Sequence, residues 1–303
     1  MDSLFEKAGV AIPSEVNGIA NVLDYAKLNW TIEQKPISTE YGLIPNRVAN
    51  YRSDTKECLG IVSNDEYKVI QNTEAFDFVD NLSDFTIEKA GAFFGGSKVF
   101  IVGKSNDQFE LDNGDMINMY FTFIHGHDGK TSIKMIISPI RMFCMNQMNL
   151  MLRTASFRHA IKHTGNVTTK LDTVHKAFES AHEYTGELKT SLVNLINTKI
   201  DSPMFDMFIN EVFKAKEGAT SAECDRMQAA RDRVFYLYTQ KDDLANYRGT
   251  AFGALSAVSD YVSHMLPKRV ASGDYTTNNL FINSIDGNKV IDTAYKVIRS
   301  IAA

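Results

Sequence analysis

A chain of 303 residues that is 44% hydrophobic and 23% charged has the material for one large or two ordinary packed domains, which excludes a disordered chain. Its apolar stretches, such as Val99–Val102 and Met135–Ile137, fall far short of the roughly 20 residues that span a bilayer. The opening Met1-Asp2-Ser3-Leu4-Phe5-Glu6-Lys7 lacks the apolar core of a secretory signal, so no membrane partner and a cytoplasmic location are expected. The net charge is -5, and the cysteines Cys58, Cys144 and Cys224 lie far apart with no C-x-x-C spacing, which argues against a disulfide framework and a structural zinc site.

In chain order, Leu43–Tyr51, Cys58–Val62 and Tyr67–Ile70 read as short strands separated by the turn formers Ser53-Asp54 and Asn64-Asp65. A helix over Glu74–Leu82 follows, capped by Asn72 or Thr73, with Phe76, Val79 and Leu82 on one face. Phe85–Phe93 and Lys98–Gly103 form a hairpin through Gly95-Gly96-Ser97. Met116–His125 and Thr131–Ser138 form a second one through His127-Asp128-Gly129-Lys130, where Asp-Gly is a strong turn signal. Pro139 is expected to end that strand. From Ile140 the pattern turns helical and Met-rich (Met142, Met145, Met148, Met151), running to Arg158-His159-Ala160-Ile161-Lys162-His163.

From Val167 to Leu195 residues alternating at spacings of four and three are apolar except the polar Thr185, a heptad seam that suits packing within the chain or pairing with a second copy. Pro203 then interrupts, and Met204–Lys214, Ala219–Thr239, Arg248–Met265 and Ile285–Ile301 read as helices. The expected fold class is α+β: residues 1–165 form a mostly antiparallel sheet with an inserted helix and a basic helix at its end, and residues 166–303 form a helical region packed with it as one body.

Charge is segregated along this plan. Gly129–Leu171 contains no Asp or Glu but holds Lys130, Lys134, Arg141, Arg153, Arg158, Lys162 and Lys170; the remaining 25 basic residues (32 - 7) face 37 acidic ones. An unopposed basic run favours a polyanion, because each Lys or Arg that neutralises a phosphate releases a condensed counterion. On the expected helix, Arg158 and Lys162, and likewise His159 and His163, lie four apart on one face. Lys130, Lys134, Arg141, Arg153, Arg158 and Lys162 are therefore candidate phosphate contacts, with Asn146 and His163 as polar contacts. A solvated face that balances the acidic remainder explains the same run.

Gln71-Asn72, Ala90-Gly91, Gly95-Gly96, His127-Asp128-Gly129, Ser138-Pro139-Ile140-Arg141, Cys144-Met145-Asn146 and His163-Thr164, in this order, resemble the phage/plasmid-like protein family, a group catalogued as domain of unknown function 932. The resemblance covers Tyr41–Lys170 and extends more loosely through Gly249-Thr250-Ala251-Phe252-Gly253 to His264. It implies a phage or plasmid gene serving replication, recombination or evasion of host defence, in the host cytoplasm. It carries over no catalytic residue and no cofactor.

The leading expectation is a non-enzymatic nucleic-acid-binding protein acting on DNA, single-stranded DNA in recombination or replication in particular. An interaction protein that counteracts a host defence factor is the alternative, and a metal- or Cys-dependent enzyme built on His127, Asp128 and Cys144 is the second. For the last, His125-Gly126-His127-Asp128 puts imidazoles on alternate residues, yet further ligands at metal-site spacing are missing, so no metal is expected. His127, Asp128 and Gly129 are expected to fix the turn through bonds to the backbone. Gly95-Gly96-Ser97-Lys98 lacks the frame of a phosphate loop.

Overall fold

The computed structural model describes residues 8–82, 85–110, 116–140, 158–161, 163, 186, 189–265 and 289–302. The chain forms two compact units: residues 1–108, 118–138 and 157–183 make the first, and residues 109–117, 139–156 and 184–303 the second. Antiparallel sheets in the N-terminal half and helices in the C-terminal half make it an α+β protein.

The first unit holds two sheets. In the smaller, β2 (Ile32–Thr39), β3 (Gly42–Arg52) and β4 (Cys58–Ser63) run antiparallel in that order. β4 pairs with β3 only between Arg47↔Ser63 and Tyr51↔Cys58, so the β2–β3 hairpin extends past it as a two-stranded arm. Tyr41 and Leu43 near its tip are 92% and 70% exposed.

The larger sheet has six strands in the order β1 (Gly9–Ala11), β5 (Phe85–Phe93), β6 (Lys98–Glu110), β7 (Met116–Gly126), β8 (Ile133–Ile140) and β9 (Arg158–Ile161). β7 is central: Met119, Phe121, Thr122, Phe123 and Ile124 are all buried, so side chains on both faces of the strand are covered. Alternation of long apolar residues and two tight turns account for the β5–β6 and β7–β8 hairpins. Gly95 (φ 67°) and Gly96 (φ 107°) make the first turn at conformations that a Cβ disfavours.

Three segments depart from the sequence reading. Tyr67–Ile70 is irregular backbone, not a strand, because its carbonyls are taken by histidine side chains instead of a ladder. The expected helix after it is a five-residue α2 (Asn72–Phe76) continued by a 3-10 turn over Asp77–Asn81, following α1 (Ile19–Tyr25) in the chain. Its cap is Gln71, not Asn72 or Thr73: the Gln71 amide N–H bonds the Glu74 carboxylate in a capping box, which leaves Asn72 free to turn inward.

The third departure lies in the basic run. β8 continues through Pro139 to Ile140, and Arg158–Ile161 is a strand, not the end of a helix. β9 pairs with β8 only from Ile133↔Ile161 to Ile136↔Arg158, so Pro139, which cannot donate to a ladder, sits past the last paired residue on that side. The Met-rich stretch, with Arg141, Cys144, Asn146 and Arg153, and the seam between Val167 and Thr185 lie outside the described residues, as does Lys162.

In the second unit, helix α3 spans 189–197 and buries Leu192 and Leu195, the end of the seam. Pro203 stands in the first turn of α4 (Ser202–Val212), where its missing N–H is harmless and Asp201 caps the Met204 N–H. α5 (Ser221–Gln240) opens with the capping box Thr220/Glu223. α6 (Ala251–Asp260), all of whose residues are buried, runs into a π-helical turn over Tyr261–Met265. α7 (Lys289–Ala302) packs against α4 and α6. No described helix is long and apolar enough to cross a membrane.

Candidate functional site

His125 near the end of β7 and His127, in the bend just past it, stand two apart, and their rings come together. His163, two residues past β9, joins them. Trp30 meets His127 edge-on with ring centroids 5.3 Å apart, His127 meets His125 at 4.4 Å, His125 stacks on His163 at 5.1 Å, and His163 stacks on Tyr67 at 5.0 Å. The three imidazoles are 0%, 1% and 5% exposed.

Each ring has one nitrogen whose role its partner fixes. His125 Nε2–H donates to the Ile70 carbonyl at 2.9 Å, and His163 Nδ1–H donates to the Lys68 carbonyl at 3.3 Å. Asn72 uses its Nδ2–H on the Leu28 carbonyl, so its Oδ1 accepts from His127 Nε2–H at 2.8 Å. All three acceptors lack a proton to give, which places the N–H on these nitrogens, and burial keeps the rings neutral, so their other nitrogens are unprotonated. Those nitrogens, His125 Nδ1, His127 Nδ1 and His163 Nε2, are buried and have no hydrogen-bond partner among the described residues.

Burial first, then repulsion from neighbouring imidazoles, holds His125 well below the usual histidine range. The same causes push His127 down to about 3, with His163 as the repelling ring. Burial also lowers His163. Tyr67, whose hydroxyl donates to the Gly126 carbonyl at 3.4 Å, is raised by burial and by the Asp128 charge. Among the described residues no group of three or more His, Cys, Asp or Glu side chains is placed to hold a metal ion. With no water-facing nitrogen, the row suits clamping rather than proton exchange with a substrate.

The turn after β7 divides its labour among residues. Asp128 Oδ1 accepts from the Lys130 and Thr131 N–H groups at 2.9 and 2.7 Å, and its other oxygen pairs with Lys98 Nζ at 2.9 Å. Burial would raise the Asp128 carboxyl, but Lys98 and the two backbone donors together hold it low. Gly129 adopts φ +75°, and a Cβ there would lie 2.7 Å from Val62 Cγ1 on β4. Gly60 of β4 lies against the Asp128 backbone, where a Cβ would come within 2.7 Å. His127 departs from the expected turn role: its ring points inward to Asn72, and its carbonyl accepts from Asn50 Nδ2 at 2.8 Å.

The candidate phosphate contacts separate in space. Lys130 is exposed in the turn and Lys134 half-buried on β8. The register puts Ala160 opposite Lys134 and Arg158 opposite Ile136, on the edge strand of the six-stranded sheet. Because 158–161 is a strand, the four-residue spacing of Arg158 and Lys162 does not align them as a helix face would. His163 leaves the list of surface contacts, since its ring lies in the interior against Tyr67 and His125. Arg141, Asn146, Arg153 and Lys162 lie outside the described residues, as does Cys144 of the enzyme reading.

The fold and this site define an α+β protein whose first unit buries a row of neutral imidazoles. Residues 58–280 match the model of a family described as a domain of unknown function, DUF932, and the chain belongs to that family. No curated protein and no solved structure matches it.

Proposed function

We propose that the protein binds nucleic acid, DNA in particular, through phosphate contacts made by Lys130, Lys134 and Arg158 together with Arg141, Arg153 and Lys162. The observation that carries this reading is the acid-free run of seven basic residues in a chain of net charge -5. The position of Lys134 and Arg158 on adjacent strands at a sheet edge, with Lys130 exposed in the turn before them, supports it. Single-stranded DNA handled during recombination or replication, on a phage- or plasmid-borne gene, is the substrate class the reading favours.

The test is fluorescence anisotropy with labelled single- and double-stranded DNA over a salt series. Binding that falls steeply with salt is expected, since each phosphate contact adds about 0.7 to 0.9 to the logarithmic slope. Absence of binding at low salt overturns the reading.

One observation favours a second reading, docking of a host protein. The β2–β3 arm presents Tyr41, Leu43 and Ile44 to solvent at 92%, 70% and 39% exposure. Capture of a defined host protein after nuclease treatment, lost in Tyr41→Ser/Leu43→Ser, is the result that would establish it.

A further inference from the structure

The histidine row holds more than side chains in place. Lys68 N–H donates to the His163 carbonyl at 2.9 Å while the His163 ring returns a bond to the Lys68 carbonyl. His125 holds Ile70, His127 holds Asn72, and the Tyr67 hydroxyl reaches the Gly126 carbonyl. The 67–72 segment, which has no ladder of its own, is thus fastened to the end of β7 and to the residues following β9 mainly through imidazoles.

We propose that this row is an acid-sensitive latch: proton uptake by His125, His127 and His163 releases the 67–72 segment and the end of β9 from the end of β7, while β5, β6 and β7 stay folded.

Each of the three partnerless nitrogens carries a lone pair that takes a proton from solvent once exposed, and a ring so charged cannot return beside its imidazole neighbours, 4.4 and 5.1 Å from His125, without repulsion and loss of hydration. Of the surrounding charges, Asp128 favours the charged form of His127 and His163, but burial outweighs it. From the turn comes Asp128, already engaged by Lys98 of β6 and by the Lys130 and Thr131 N–H groups. From β3, Arg52 sits 4.5 Å over the Trp30 ring, one ring beyond His127, and adds a positive charge. The 67–72 segment offers Tyr67, kept neutral by burial, and an exposed Lys68. Glu74 of α2 is exposed and bonded to the Gln71 N–H. The β5–β7 core, by contrast, rests on Phe93, Phe100, Ile101, Phe121 and Phe123, none of which titrates.

Burial of the rings supplies the direction. A histidine neutral in the latch and titrating near 6.5 when released favours release about tenfold for each pH unit below that value. The latch is closed at pH 7.5, and its open fraction begins to rise as pH falls below about 6.5.

Hydrogen exchange on the full chain at pH 7.5 and pH 5.5, corrected for intrinsic rates, tests this without nucleic acid and so independently of the proposed function. Amides in 66–72, 158–161 and 163 are expected to lose protection about tenfold or more, with β5–β7 amides retaining theirs. Retained protection at both segments overturns the latch, and so does parallel loss across β5–β7, which is ordinary acid unfolding. His163→Gln keeps a side-chain N–H donor that does not titrate, and its segments should lose distinctly less protection at pH 5.5. An unchanged loss in this variant removes His163 from the latch and overturns the proposal as stated.

Discussion

The end of β7 and the β8–β9 pair lie within one short stretch of the same sheet, yet solvent treats their ionisable groups in opposite ways. At His125 and His127 the protein removes water and fixes one ring nitrogen on an oxygen acceptor, so charge is expelled. A few residues later Lys130 stands in solvent, where its charge costs nothing to keep. Burial, not residue type or position in the chain, decides which basic groups can meet an anion, and it moves His163 from the second class into the first.

The largest way to stress this difference is acid. Folded-state histidine pKa values below the unfolded 6.5 mean that the unfolded chain binds more protons, so stability is complete above about 6.5 and is lost as pH falls from there toward the folded value, about 3 for His127. Between pH 6.5 and 5 this amounts to about 2 kcal/mol for each ring that stays neutral in the fold. Urea unfolding at pH 7.5, 6.5 and 5 should show the midpoint falling accordingly, and a flat midpoint would contradict the neutral row.

Next in size is Asn72→Ala. It strips His127 Nε2–H and the Leu28 carbonyl of their partner inside the protein, a loss of about 3 kcal/mol for two buried unsatisfied groups. Chemical denaturation at pH 7.5 measures it. Gly129→Ala follows at about 1–2 kcal/mol, because the residue sits at φ +75° and its new methyl presses on Val62. A thermal melt that leaves this variant at the wild-type midpoint would show that the turn can move away from β4.

Much of this frame was legible in the residues. His127-Asp128-Gly129-Lys130 located the β7–β8 turn because Asp128 and Gly129 carry strictly local geometry, and the α+β division followed from periodicity. The histidine row was not legible as a unit. Its members lie at 125, 127 and 163 and their acceptors at 68, 70 and 72, so tertiary packing alone assembles them. One signal pointed to it: His125 directly follows the run Phe121–Ile124, whose residues on both faces are buried, so a histidine there is expected in the interior. The basic run misled for a different reason. Arg158/Lys162 and His159/His163 repeat at four residues, a helical spacing, yet Arg158–Ile161 is an edge strand, and β8 supplied the partner that decided between them.

The smallest expected effect on stability is the most informative about function. Lys130→Ala/Lys134→Ala alters an exposed turn residue and a half-buried strand residue, so it should change the unfolding free energy by no more than about 0.5 kcal/mol per site. If both lysines lie on phosphate, the same pair lowers the salt slope of DNA binding by about 1.4 to 1.8 and weakens affinity alike for every sequence tested. A stable variant with an unaltered slope would leave these two charges as a solvated face and shift any phosphate contact to Arg141, Arg153, Arg158 and Lys162. A loss confined to one DNA sequence would instead mean that the lysines read bases, which a phosphate-tracking strand edge does not do.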